Sequence, residues 1–88
     1  MKFEVDSSYI QATLSDLISI NSVNPRLIPG APRERQIAAC VADRMERLGL
    51  EVRSLEPEEG RVSILGTRRG SGGGPSLMLN AHYDTVGV

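Results

Sequence analysis

Residues 76–88 read S-L-M-L-N-A-H-Y-D-T-V-G-V, and this stretch determines both the expected fold and the expected site. Leu77, Met78 and Leu79 form an uninterrupted apolar run, which is typical of a strand covered on both faces. The run leads into a polar cluster that contains His82 and Asp84. Because side chains alternate along an extended chain, these two are expected on the same side at the end of a buried strand.

The His-x-Asp pattern has a specific chemical use. A neutral imidazole binds zinc through one ring nitrogen, while the other nitrogen carries a proton that needs an acceptor. A carboxylate two residues further along an extended chain reaches either that proton or the metal's own ligand shell. The pattern is short, however, and it also occurs where the histidine is only a surface or hydrogen-bonded residue. His82 and Asp84 are therefore candidates at this point.

Upstream, the sequence first predicts a helix over about residues 7–20. The apolar positions that recur at helical spacing are Ile10, Leu14, Leu17 and Ile18. This spacing places them on one face of a helix. Ser8, with Gln11 three residues later, fits a capping box at the start of this helix. Asn24 and Pro25 then indicate a turn.

A second helix is predicted over about residues 32–48. Its apolar stripe consists of Ile37, Val41, Met45 and Leu48. Pro32 fits the first helical turn, where its missing N–H costs nothing. Gly49 fits the position just past the helix end, where a left-handed backbone is common.

The remaining chain predicts strands. Residues 50–55 alternate between apolar and charged side chains, residues 61–67 do so less strictly, and a third strand starts at residue 76. Short connections favour antiparallel neighbours. The expected architecture is α/β, with two helices followed by about three mostly antiparallel strands, and both helices are expected to cover a sheet face.

Composition excludes several classes of protein. The 88 residues make one domain at most, and the net charge of −1 comes from charges of mixed sign, which argues against nucleic-acid binding. A single cysteine, Cys40, excludes an internal disulfide and a cysteine zinc cluster. No apolar run reaches the length of a membrane span, and no secretory signal is visible, so a cytoplasmic protein is expected.

Three stretches together carry a resemblance to a known family. They are L-S-D-L-I-S-I-N-S-V-N-P (14–25), the second helix ending in L-G-L-E-V (48–52), and L-M-L-N-A-H-Y-D-T-V (77–86). In this order they resemble the acetylornithine deacetylase and succinyl-diaminopimelate desuccinylase family of zinc amidohydrolases and metallopeptidases. The resemblance covers nearly all 88 residues. Ala81 and Gly87 depart from the residues that relatives often carry there, which blurs the subfamily.

The resemblance implies a zinc-exopeptidase-like catalytic domain that binds two zinc ions, with other divalent ions such as cobalt as an alternative. His82 would be a ligand of one ion. Asp84 would be a catalytic-site residue that holds the imidazole without being a primary ligand. The substrates implied are N-acyl amino acids or small peptides.

The resemblance also implies that the site is incomplete within residues 1–88. A two-metal site needs a bridging carboxylate, further ligands and a base, and the sequence contains no second histidine. We therefore expect residues 1–88 to be the N-terminal part of a longer catalytic domain. The rest of that domain and the dimerising lid domain of relatives would lie outside this sequence, and the isolated chain would be inactive.

A non-catalytic α/β interaction module is the alternative interpretation. Other residues have simple structural explanations. The glycine run at 70–74 precedes a strand and lacks a phosphate-binding signature, so it predicts a turn. Asn24 fits a turn, Glu34 fits the first turn of a helix through the helix dipole, Tyr83 fits packing, and Cys40 fits a small core position.

Overall fold

The structure, a computed structural model, describes residues 3–24, 26–27 and 34–86. Within them the chain forms α1 (Ser7–Ile18), α2 (Arg35–Arg47), β1 (Glu51–Glu58) and β2 (Arg61–Thr67), in that order. The architecture is therefore a small mixed α/β domain, in which two helices precede an antiparallel pair of strands.

Helix α1 begins two residues earlier than the capping-box prediction requires. Asp6 is the N-cap, and its carboxylate accepts a hydrogen bond from the Tyr9 N–H at 3.0 Å. A carboxylate satisfies an otherwise unpaired N–H and also complements the positive end of the helix. Ser8 therefore lies inside the first turn, and the predicted capping box of Ser8 and Gln11 is wrong.

The apolar face of α1 is not covered by the sheet, which corrects a second expectation. Ile10, Leu14 and Ile18 are exposed. Instead, α1 contacts α2 through Arg44, which pairs with Asp16 and lies over the Tyr9 ring. The described part of the sheet has only two strands, and α2 packs on it. The apolar face of α1 therefore has no cover from the sheet in the described residues.

Helix α2 ends as the sequence predicts, whereas its predicted start at residue 32 lies outside the described residues. Gly49 adopts a positive φ of 84°. Its N–H donates to the Glu46 carbonyl at 2.9 Å, and the Leu50 N–H donates to the Met45 carbonyl at 3.0 Å. This pair of bonds is a Schellman motif, which reverses the chain and leads it directly into β1.

Strands β1 and β2 form an antiparallel hairpin. Glu51 pairs with Thr67 and Leu55 pairs with Ser63, and the register becomes irregular between Leu55 and Glu58. Pro57 lies within that irregular stretch, where its lack of an N–H is tolerated. The first strand is thus longer than the predicted 50–55, and the predicted second strand at 61–67 is confirmed.

The core between α2 and the hairpin is small. Its buried apolar residues are Ile37 and Ala38 from α2 and Val62 from β2. Gly66 allows the helix end to approach β2 closely, because a Cβ at this position would lie 2.7 Å from the Met45 sulfur. The hydrophobic contacts of the described residues therefore centre on one helix and one hairpin.

The predicted third strand is wrong. Residues 76–84 have no regular secondary structure, and the side chains of Leu77, Met78 and Leu79 are 85%, 77% and 87% exposed. An apolar run specifies a strand only when another strand supplies hydrogen bonds and a layer covers its faces. Within the described residues no such neighbour lies beside 77–81. The sheet therefore has two strands here instead of three.

Candidate functional site

Two segments far apart in sequence meet beside the hairpin. Val23 and Thr85 form an isolated parallel bridge. The Thr85 N–H donates to the Ser22 carbonyl, and the Asn24 N–H donates to the Thr85 carbonyl, both at 2.9 Å. The hydroxyl of Ser22, which is buried, donates to the Tyr83 carbonyl at 2.8 Å. We call residues 22–24 and 83–85 the clamp.

The clamp presents His82 and Asp84 as a hydrogen-bonded pair. The Nδ1 atom of His82 lies 2.9 Å from Oδ1 of Asp84 and 3.2 Å from the Asp84 carbonyl oxygen. A carboxylate only accepts hydrogen bonds, so Nδ1 carries the proton in this contact, and in the neutral tautomer with this proton the lone pair is on Nε2. The His82 side chain is 86% exposed, whereas that of Asp84 is 24% exposed.

Asp84 is held by a second contact that sequence reasoning missed. Its Oδ2 atom accepts a hydrogen bond from Nδ2 of Asn24 at 2.8 Å. The Oδ1 atom of Asn24 accepts from the Arg26 N–H at 2.9 Å, which is the turn the sequence predicts. The motif S-V-N-P was the available signal, but a turn explained it locally. Only the 60-residue approach of the two segments reveals the second role.

A partly buried ion pair lies next to Asp84. Nε of Arg61 donates to Oε1 of Glu34 at 2.8 Å, and Nη2 of Arg61 lies 4.0 Å from Oδ2 of Asp84. The hydrogen bond to Glu34 raises the pKa of the Arg61 guanidinium, while its partial desolvation acts in the opposite direction. The charges of Glu34 and Asp84 also raise this pKa. All three charges therefore belong to one electrostatic cluster.

The sequence-based explanation of Glu34, a carboxylate placed to favour the helix dipole, is incomplete. Glu34 is the N-cap of α2, yet its side chain makes no capping hydrogen bond. The side chain instead turns to Arg61, and its backbone N–H donates to the Gly60 carbonyl at 2.9 Å. A buried carboxylate needs such partners, because losing water without them is costly. No sequence signal identified Arg61, since the pairing spans two elements.

Tyr83 lies on the side of the segment opposite to His82 and packs against β2. Its hydroxyl donates to the Val62 carbonyl. Burial raises the pKa of the Tyr83 phenol, and the negative charge of Glu34 acts in the same direction. Tyr83 therefore keeps its proton at neutral pH and anchors the chain between the two site residues.

Replacing Tyr83 with Phe tests this anchor. We expect Tyr83→Phe to lower the free energy of unfolding by about 1 kcal/mol, because one hydrogen bond to a backbone carbonyl is lost. Tyr9→Phe is the matched control, since the structure shows a ring contact with Arg44 there but no hydroxyl bond. Urea titration of both variants measures the difference, and equal midpoints would contradict the anchoring role.

The pair of His82 and Asp84 borders an open cleft of about 930 Å³ between β2, α2 and residues 78–84. Val41 and Met45 supply an apolar wall, while Arg61, Glu34 and Asp84 supply charge. His82 is the only histidine, and its exposed Nε2 is the one imidazole nitrogen at the cleft whose lone pair can bind a cation or a proton. Across the described ranges, no group of three or more His, Cys, Asp or Glu side chains is arranged to hold a metal ion.

The fold and the site together define a small mixed α/β domain with an exposed histidine–aspartate pair. Comparisons with protein-family models, with curated proteins and with solved structures found no match. In the part of the chain that the structure describes, no helix has both the length and the apolar character needed to cross a membrane.

Proposed function

We propose that this chain contributes a histidine ligand to the metal site of a zinc-dependent amidohydrolase or metallopeptidase. The observation that supports the proposal is the 2.9 Å contact between His82 Nδ1 and Asp84 Oδ1. This contact leaves Nε2 free as a metal ligand on an exposed ring, which is the usual arrangement of a zinc-bound histidine with a carboxylate behind it.

Asp84 acts in this proposal as a positioning residue instead of a ligand. Its Oδ1 faces His82, and its Oδ2 accepts from Asn24. Both oxygens are therefore engaged within the protein. A carboxylate in this position fixes the ring orientation and raises the basicity of the nitrogen that faces the metal.

The imidazole of His82 is a type of ligand that zinc binds, but the described residues supply fewer ligands than a zinc site needs. Zinc sites use imidazole nitrogen and carboxylate oxygen, with three or four protein ligands. His82 supplies one of them. The family resemblance supports the view that residues 1–88 are the N-terminal part of a longer zinc-exopeptidase-like domain, whose later residues supply the remaining ligands and the base. Bound zinc would polarise an amide carbonyl and activate water there.

The substrate class follows from the resemblance. We propose N-acyl amino acids or small peptides with a free carboxylate, and a parent enzyme that dimerises through a lid domain. The cleft beside His82 combines an apolar wall with charged groups, which suits such amphipathic molecules.

The proposal is tested by comparing the 88-residue chain with the longer protein that the proposal implies. We expect the longer protein to hold about two zinc ions per chain and to hydrolyse N-acyl amino acids, while the 88-residue chain does neither. Metal analysis and turnover on a substrate panel measure both quantities. Hydrolysis by the 88-residue chain alone, or a longer protein without bound metal, would reject the proposal.

An interaction module is the second candidate, and the exposed apolar side chains favour it. Leu77, Met78 and Leu79 are uncovered, as is the apolar face of α1. Exposed apolar patches of this kind often mark sites of association. If the longer protein that the enzyme proposal implies lacks a second histidine and further acidic ligands, this candidate replaces the enzyme.

A further inference from the structure

We infer that Asn24 is a positioning residue whose side chain sets the tautomer of His82 through Asp84. The inference deepens the proposed zinc function, on which its significance rests, although the structural relay itself needs no metal. The relay runs from Asn24 Nδ2 to Asp84 Oδ2 at 2.8 Å, and from Asp84 Oδ1 to His82 Nδ1 at 2.9 Å.

The relay depends on how a carboxylate presents its two oxygens. A free Asp side chain rotates about its terminal torsion and offers either oxygen in many directions. The amide of Asn24 holds Oδ2, so Oδ1 is directed at the imidazole. A hydrogen bond to a charged acceptor is stronger than one between neutral groups, so this geometry favours the ring form with the proton on Nδ1. Nε2 is then the free nitrogen.

Backbone hydrogen bonds of the clamp hold Asn24 in position, and they do not depend on its side chain. Its backbone N–H donates to Thr85, and the preceding Ser22 carbonyl accepts from Thr85. Ser22 also bonds the Tyr83 carbonyl through its hydroxyl. Three hydrogen bonds therefore hold the two segments together without the Asn24 amide. Removing that amide is expected to leave the clamp closed.

Arg61 is not equivalent to Asn24 at this position. Its Nη2 lies 4.0 Å from Asp84 Oδ2, beyond hydrogen-bond distance. Its Nε is already engaged with Glu34 at 2.8 Å. Arg61 attracts the carboxylate by charge, but the directional contact that orients the oxygens comes from Asn24. Without Asn24, Asp84 can turn towards Arg61 and away from His82.

The test measures the His82 tautomer directly by nitrogen NMR on the metal-free 88-residue chain. His82 is the only histidine, so its two ring-nitrogen shifts are assigned without ambiguity. Spectra are recorded at increasing pH until the ring-nitrogen shifts stop changing, so that only the two neutral tautomers contribute. We expect Nδ1–H to dominate in the parent chain, and the ratio of Nδ1–H to Nε2–H to fall about tenfold in Asn24→Ala.

Two further variants complete the test. Asn24→Leu keeps the branched shape of the side chain without its N–H groups, and it should shift the ratio as Asn24→Ala does. Asn21→Ala is the matched control, because Asn21 bonds only the nearby Val23 N–H at 3.2 Å in the described structure. The Thr85 amide signal reports in each sample whether the clamp is closed.

The possible results separate the two proposals. An unchanged tautomer ratio in a closed-clamp Asn24 variant would overturn the positioning role and leave the zinc proposal intact. Failure of both Asn24 variants to fold would make the residue structural and would also overturn it. A tautomer shift in Asn24→Ala, together with a longer protein that binds no zinc, would support the positioning role and reject the zinc function.

Discussion

His82→Ala in the longer protein is expected to lose bound metal and turnover together. The substitution removes the one imidazole that the described residues offer to the site, and its Nε2 is the atom proposed to bind zinc. A three- or four-ligand zinc site that loses one ligand holds its ion much less tightly. Metal content after dialysis and turnover on N-acyl amino acids are the two measurements.

Asp84→Asn should behave differently from His82→Ala. The amide keeps the size of the side chain but loses the charge that favours the proton on Nδ1. We expect most of the metal to stay and turnover or metal affinity to fall by roughly 10–100-fold, as is usual when the partner of a metal-bound histidine is changed. Asp43→Asn is the control, since Asp43 pairs with Arg47 on the exposed surface.

Two results would contradict this division of roles. Full activity in Asp84→Asn would show that the carboxylate does not support the histidine. Full metal content in His82→Ala would remove His82 from the ligand set. Either result would leave the hydrogen bond between the two side chains as a feature of local structure alone.

Ile37→Ala is expected to abolish most of the cooperative folding of the 88-residue chain. Ile37 is buried between α2 and the hairpin, in a core whose other buried apolar residues are Ala38 and Val62. Truncation of a buried isoleucine costs about 2–5 kcal/mol. Small domains have a total stability of about 5–15 kcal/mol, with the smallest at the low end. Thermal and urea unfolding followed by circular dichroism measures the loss.

Leu79→Ala is the matched control for this loss. Leu79 is exposed, so the same kind of truncation should change stability by less than about 0.5 kcal/mol in the 88-residue chain. If the longer protein covers residues 77–79, Leu79→Ala there should cost about 2–5 kcal/mol. Equal losses for Ile37→Ala and Leu79→Ala in the short chain would contradict the described core.

The sequence predicted the elements that local chemistry specifies. The helical spacing of apolar residues gave α1 and α2, and Gly49 marked the end of α2 because only a left-handed backbone completes that cap. The alternation of apolar and polar residues, together with a short turn, predicted the hairpin of β1 and β2. Each of these signals lies within a few residues of the element that it specifies.

Apart from the misplaced capping box at Ser8, the errors concern partners that are distant in sequence. The apolar run at 77–79 has the composition of a strand, but no neighbouring strand in the described structure completes it. The Asn24 contact to Asp84 spans 60 residues, and the pair of Glu34 and Arg61 spans 27. Periodicity does not encode such pairings. The contacts of Asn24 and Arg61 were therefore missed, whereas a contact between His82 and Asp84 was expected and is present.

The separation of the two clamp segments has a consequence for how the site is populated. Closing a loop of about 60 residues costs roughly 3–4 kcal/mol of chain entropy, less once α2 and the hairpin have shortened the effective loop. Four clamp hydrogen bonds at about 1 kcal/mol each stabilise the closed form by a similar amount. The Tyr83 hydroxyl bond to Val62 adds to the closed form, so the clamp is closed by a small margin, and hydrogen exchange at the Thr85 amide reports on its opening. A ligand that binds only the closed form would draw the equilibrium towards it, so occupancy of the site and completion of the fold would become one event.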